Sequence, residues 1–94
     1  VIPTEFTLYQ NYPNPFNPST TIKFFLPQDS RIKINIYDTR GRKIIELADG
    51  FESEGFHTIN FNASSLSTGI YFYSMTYEAN GMNTNLTKKM MLIK

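Results

Sequence analysis

From Thr20 onward apolar and polar residues alternate one for one, and a period of two is the signature of a half-buried strand. Ile22, Phe24 and Leu26 alternate with Thr21, Lys23 and Phe25. Ile32, Ile34 and Ile36 alternate with Arg31, Lys33 and Asn35. Tyr71, Tyr73, Met75 and Tyr77 share one parity within Ile70 to Glu78. No segment sustains a 3.6-residue period over three turns, and β-branched and aromatic residues outweigh helix formers. Turn residues punctuate the pattern. Asp38-Thr39-Arg40-Gly41 reverses the chain, and Lys43 to Ala48 returns as a strand that Asp49-Gly50 closes. His57, Ile59 and Phe61 alternate after Gly55, Asn62 to Gly69 reads as a polar loop, and Leu86 to Lys94 reads as the last strand. Ala79-Asn80-Gly81 is a hairpin turn, because Asn-Gly tolerates positive φ at both central positions. Six or seven such strands predict an all-β, immunoglobulin-like antiparallel β-sandwich of about seven strands.

Ninety-four residues suffice for one core, burying about two-thirds of the surface of the unfolded chain. Eight Phe and six Tyr supply the bulk that a modest 40% apolar share does not, since large rings fill a small core with few residues. The composition shifts once. Residues 1–19 hold four of the five prolines, and each proline removes a donor and extends its predecessor. Residues 1–19 are therefore expected to be an extended lead-in or edge segment, and residues 20–94 the sandwich.

Composition excludes several functions. There is no cysteine, so disulfides, zinc-thiolate sites and cysteine nucleophiles are out. The longest apolar runs are four residues, Ile70–Tyr73 and Met90–Ile93, far short of the ~20 that span a bilayer as a helix. No basic segment followed by an apolar stretch opens the chain, so no N-terminal signal peptide is read in it. Nine basic against eight acidic residues, net +1, argue against a nucleic-acid partner. The single histidine, His57, shares parity with Ile59 and Phe61, which predicts a packed ring or a bond to a nearby carbonyl. Glu52 and Glu54 read as a solvated turn, not an acid–base pair, and no catalytic residue is assigned. Asp29, Asp38 and Asp49 read as turn formers, so no metal or cofactor is expected. Basic residues crowd positions 31–43 and acids positions 46–54, as expected of two strands facing each other across a hairpin. Phe25 and Tyr37 lie on the outer parity and are the candidates for an exposed aromatic contact. Lys88-Lys89-Met90-Met91-Leu92-Ile93-Lys94 admits two readings. One is a plain final strand with Met90 and Leu92 inward. The other is a recognition strand suited to strand addition. An unpaired last strand would also favour strand-mediated self-association.

Five blocks in order carry a family resemblance. Gln10 to Ile22, with Pro13 and Pro15, resembles the opening of the type A C-terminal sorting domain of type IX secretion. Ile36-Tyr37-Asp38-Thr39-Arg40-Gly41-Arg42 resembles its I-Y-D-x-x-G-R turn, and Gly55-Phe56-His57 its G-x-H step. Ser67-Thr68-Gly69-Ile70-Tyr71-Phe72-Tyr73 resembles its middle strand, and Lys89-Met90-Met91-Leu92-Ile93-Lys94 its closing K-M-x-L-x-K. Phe61-Asn62 stands where the family commonly has Trp-Asp. The resemblance implies a non-catalytic secretion signal joined to an N-terminal cargo. Such a cargo crosses the periplasm, and its domain is recognised by the outer-membrane type IX machinery. A sortase-like peptidase commonly removes the domain, leaving the cargo secreted or on the cell surface. Carried over by motif, Lys89, Met90, Leu92 and Lys94 are the recognition candidates, and Pro13, Pro15, Gly41, Gly69 and Tyr71 are structural. The related immunoglobulin-like domain of flagellar hook-capping proteins shares several blocks, and a structural or glycan-binding module is the alternative. The end at Lys94 favours the sorting signal.

Overall fold

The computed structural model describes residues 3–94, and their regular structure is all strand. The strands are β1 (Thr7–Leu8), β2 (Ser19–Leu26), β3 (Ser30–Tyr37), β4 (Lys43–Glu52), β5 (Gly55–Asn62), β6 (Gly69–Ala79) and β7 (Met82–Leu92). They form two antiparallel sheets, a three-stranded β1-β2-β5 and a four-stranded β4-β3-β6-β7. This is the predicted immunoglobulin-like sandwich. The inward parities of both sheets close on one core. Ile22, Phe24 and Leu26 meet Ile32, Ile34, Ile36, Tyr73, Met75, Met90 and Leu92, all buried. Tyr71 and Tyr77 pack at its margins.

The turns follow local chemistry. Asn80 (φ 55°) and Gly81 (φ 77°) are the two central residues of the β6–β7 hairpin, whose flanking pair is Ala79 and Met82. A two-residue loop of this kind matches the twist of the strands it joins. It also keeps them paired from the first residue, so β7 begins at Met82, four residues before the sequence reading places it. At the β3–β4 turn Gly41 takes φ 82°, and Asp38 Oδ1 accepts from the N–H groups of Arg40 and Arg42. The Arg42 N–H, foremost, holds the Asp38 carboxyl below the usual carboxylate range, with the Arg42 guanidinium and the Arg40 N–H adding to it.

Asp49-Gly50 does not close β4. The strand runs through both to Glu52, with Gly50 opposite Ile32. Two register shifts against β3, between Ile34 and Asn35 and between Ile36 and Tyr37, break its alternation. Bulged strands of this kind suit sheet edges, because the local twist discourages further pairing. The lead-in is built into the sandwich. Leu8 and Phe16 are buried in the core, and the Phe16 ring lies 6.3 Å from Phe61. The Tyr12–Pro13, Asn14–Pro15 and Asn17–Pro18 peptide bonds are cis.

Candidate recognition site

The recognition candidates divide by parity. Met90 and Leu92 point inward and are fully buried, opposite Tyr71 and Gly69. Lys89 faces outward from β7, opposite Phe72. Met91 faces outward opposite Ile70, and Ile93 follows it with the same parity. Met91 is 38% and Ile93 47% exposed. Lys94 is tied down at the end of the sandwich. Its Nζ donates to Ser64 O at 2.6 Å, and its backbone N–H donates to Thr68 Oγ1 at 3.0 Å. The structural candidates lie close by. Gly69 opens β6, Tyr71 packs beneath Met90, and Pro15 shares a hollow of about 160 Å³ with Asn14, Ile70, Lys89, Met90 and Met91.

β7 is an edge strand, yet its last residues are not open. Gln10 Nε2 donates to Lys89 O at 2.6 Å, and Met91 N donates to Asn14 Oδ1 at 3.0 Å. Phe16 N donates to Met91 O, and Ile93 N donates to Phe16 O, both at 3.0 Å. Two side-chain amides and one residue's backbone thus take the place of a neighbouring strand. The four outward backbone groups from Lys89 O to Ile93 N are satisfied, as buried or shielded peptide groups require. Among the described residues, no backbone hydrogen bond from outside β6 reaches the stretch from Asn83 to Thr87.

A buried polar knot holds the lead-in in that position. Asn11, only 2% exposed, donates from Nδ2 to Pro13 O at 3.1 Å and to Thr20 Oγ1 at 3.0 Å. Thr20 Oγ1 donates in turn to Pro13 O at 2.8 Å. Tyr73, at the centre of the core, donates its hydroxyl to Tyr9 O and accepts from Asn11 N, each at 2.7 Å. Burial pushes its phenol up to about 12, against the smaller opposing effect of the Asn11 N–H. Gln10, Asn11, Asn14, Phe16 and Thr20 were not singled out from sequence. An asparagine in a proline-rich stretch reads the same whether it is solvated or clamps a strand.

The remaining candidates fall into place. His57 stacks on Phe24 with centroids 5.2 Å apart, and its Nε2 lies 2.7 Å from Ser53 O. Glu52 approaches His57 Nδ1 at 3.6 Å. Asp29 receives the Glu54 N–H, and Asp49 pairs with Arg31 across the β3–β4 hairpin at 3.1 Å. Phe25 is corrected by the structure. It keeps the outer parity but is only 8% exposed, because Phe56 lies against it at 4.9 Å and carries the exposure. Lys23 Nζ sits 4.5 Å over the Phe56 ring. Tyr37 is half-buried and lines an outer-face hollow with Phe72, Ser74 and Thr87. Among the described residues no group of three or more His, Asp or Glu side chains gathers as a metal site would. Nor, among the described residues, is any helix long and apolar enough to cross a membrane.

The fold also sorts charge by end. Phe6 stacks on Tyr77 beside the β6–β7 hairpin, whereas Leu92 lies at the opposite end of β6, paired with Gly69. At the Leu92 end stand Arg40, Arg42, Lys43, Lys88, Lys89 and Lys94 against Asp38 and Glu46, the latter 3.8 Å from Lys43 Nζ. At the Phe6 end Lys23, Arg31 and Lys33 stand against Glu5, Asp29, Asp49, Glu52, Glu54 and Glu78. A net charge of +1 thus conceals one strongly basic end and one acidic end.

A sandwich whose proline-rich opening is clamped onto its final strand defines a class of β-domain in which the first and last motifs form one structural unit. The family model of the secretion system C-terminal sorting domain matches residues 10–94, from the clamp to the end of β7. The chain belongs to this family, the C-terminal sorting signal of type IX secretion. The family serves as a signal and not as a catalyst, and such a signal directs export to the cell surface or medium. Among solved structures, the crystal structure of dimeric latent PorU from Porphyromonas gingivalis superposes with a TM-score of 0.76 at 22% identity. The match covers 99% of this chain and 10% of that one, so the chain spans about a tenth of that protein's length and the likeness is one of fold. A comparison with curated proteins finds no match.

Proposed function

We propose that this domain is the address read by the outer-membrane type IX machinery. In this reading it carries an N-terminally linked cargo through the periplasm, and a sortase-like peptidase then separates the two, leaving the cargo free or on the cell surface. The family match over residues 10–94 supports the reading most directly. Residues 20–94 make the bulk of the sandwich, and residues 1–19 lead the cargo into it while adding β1 and Phe16 to its layers. Recognition centres on the last strand. Lys89 and Lys94 offer charge, while Met90 and Leu92 hold the strand in register from inside the core. Pro13 and Pro15 shape the entry, Gly41 makes the β3–β4 turn, and Gly69 and Tyr71 seat the end of β7.

Fusing residues 1–94 to a periplasmic reporter in a type IX-competent host tests this. The fusion is expected at the surface or in the medium, and a fusion lacking Met90 to Lys94 is expected to stay in the periplasm. Equal export of the shortened fusion would remove the terminal strand from the signal.

A further inference from the structure

We infer that the machinery reads the outward face of the closing Lys89–Lys94 segment and not its edge. The docking surface is formed by Ile70, Met91 and Ile93, with Pro15 and Lys89 at its border. Its partner is a folded protein that presents an apolar side chain beside carboxylates. This inference rests on the sorting function proposed above and assigns the surface that performs it.

Three observations carry it. First, recognition by strand addition needs free backbone N–H and C=O groups along an edge. Those of Lys89, Met91 and Ile93 are already bonded by Gln10, Asn14 and Phe16. A partner pairing there would have to break four hydrogen bonds and pull Phe16 out of the core. Second, the closing motif has only its outward parity to offer, because Met90 and Leu92 are fully buried. That parity is apolar. Met91 and Ile93 stand exposed at successive outward positions beside Ile70, and contiguous apolar surface of this kind marks an interaction site. Third, Ile70 and Met91 line a hollow of about 160 Å³ with Asn14, Pro15 and Lys89, and Ile93 follows on the same face. A hollow of that size takes one protruding side chain, whereas a lipid surface is entered by protruding apolar groups. The partner's charge follows from the surroundings. Residues 79–94 contain three lysines and no acid, and Lys88, Lys89 and Lys94 enter none of the ion pairs among the described residues. Such a basic end steers and orients an acidic surface.

The test uses the reporter fusion with four variants. Met91→Ser combined with Ile93→Ser should cut export about tenfold or more, as loss of a central apolar anchor does in protein interfaces. Lys89→Glu should also cut it, and Lys89→Arg should keep it. Gln10→Ala removes one clamp bond without touching the outward side chains or the lining of the hollow, and should leave export within about twofold. Melting curves of the purified domains keep folding separate from recognition, and substitutions at the exposed Lys89 keep the inference testable should the double serine variant fail to fold. Export of the double serine and Lys89→Glu variants at the parent's level would overturn the inference while leaving the sorting function standing. A several-fold rise in export for Gln10→Ala would overturn it in favour of edge pairing. Lys89-dependent sedimentation of the domain with anionic phospholipid vesicles would overturn it in favour of a membrane. Failure of the intact fusion to be exported would sink the sorting function and this inference together.

Discussion

Tyr73 does the work of two residues. Its ring fills the centre of the core, and its hydroxyl reaches the far side of the sandwich to bond Tyr9 O and Asn11 N. Replacing it by Phe leaves the packing nearly unchanged but orphans a buried N–H and a carbonyl. We expect Tyr73→Phe to cost about 1–3 kcal/mol, measured by urea denaturation. The phenol also gives the domain an alkaline limit. Its ordinary value near 10 rises to about 12 in the fold because burial disfavours the phenolate. A raised acid constant contributes stability that is complete below the unfolded value and is lost as pH climbs through the folded one. Stability should therefore fall between pH 10 and 12, by about 2–3 kcal/mol from this group, and Tyr73→Phe should flatten that limb. From the sequence, strand parity placed Tyr73 in the core. The hydroxyl's partners were illegible, because both lie more than sixty positions away and are backbone atoms of an irregular segment.

At the scale of elements, the regular strands were readable and the lead-in was not. Alternation identifies β2, β3 and β6 because one face of each is dry and the other wet. It fails at β4, where bulges shift the phase, and at the start of β7, where Asn83, Thr84 and Asn85 are polar on both faces of an edge. It has nothing to say about residues 10–16, whose role lies in single bonds to another strand. The closing motif was legible, and strand parity already turned Met90 and Leu92 inward; what only the fold shows is that Gln10, Asn14 and Phe16 cover its edge. Met90→Ala and Leu92→Ala should each cost about 2–5 kcal/mol as core truncations, whereas Lys89→Ala should stay within about 0.5 kcal/mol. Thermal melts of the three variants decide this. Removing the clamp has a different effect. Gln10→Ala with Asn14→Ala frees outward groups at Lys89 and Met91 and lengthens the open edge that begins at Asn83. Such an edge invites pairing between copies. Light scattering should show more dimer for this double variant than for the parent at equal concentration, and no difference would mean that the Phe16 bonds guard the edge alone.

For the whole molecule, the separation of charge matters more than its sum. The sequence showed the basic run 31–43 and the acidic run 46–54, but read as strands of one hairpin they cancel. The fold adds Lys88, Lys89 and Lys94 to the Arg40–Lys43 turn, and Glu5, Asp29 and Glu78 to the other end. Arg40→Glu with Lys43→Glu and Arg31→Glu with Lys33→Glu change the net charge equally. The first pair should weaken retention on a sulfonate resin at low salt more than the second, because a surface is held by its most basic patch. Equal retention would mean that the ends do not act as separate fields. The ends are also far apart. The eleven residues of β6 lie between Phe6 and Leu92 along a long axis of 39 Å, a run of about 35 Å of extended chain. Under the sorting function proposed above, the domain is a handle, with its grip at one extremity and the tether to its load at the other. On that reading, a machine holding the grip leaves the tether in open solvent, so a blade could reach the joint without the load first being let go.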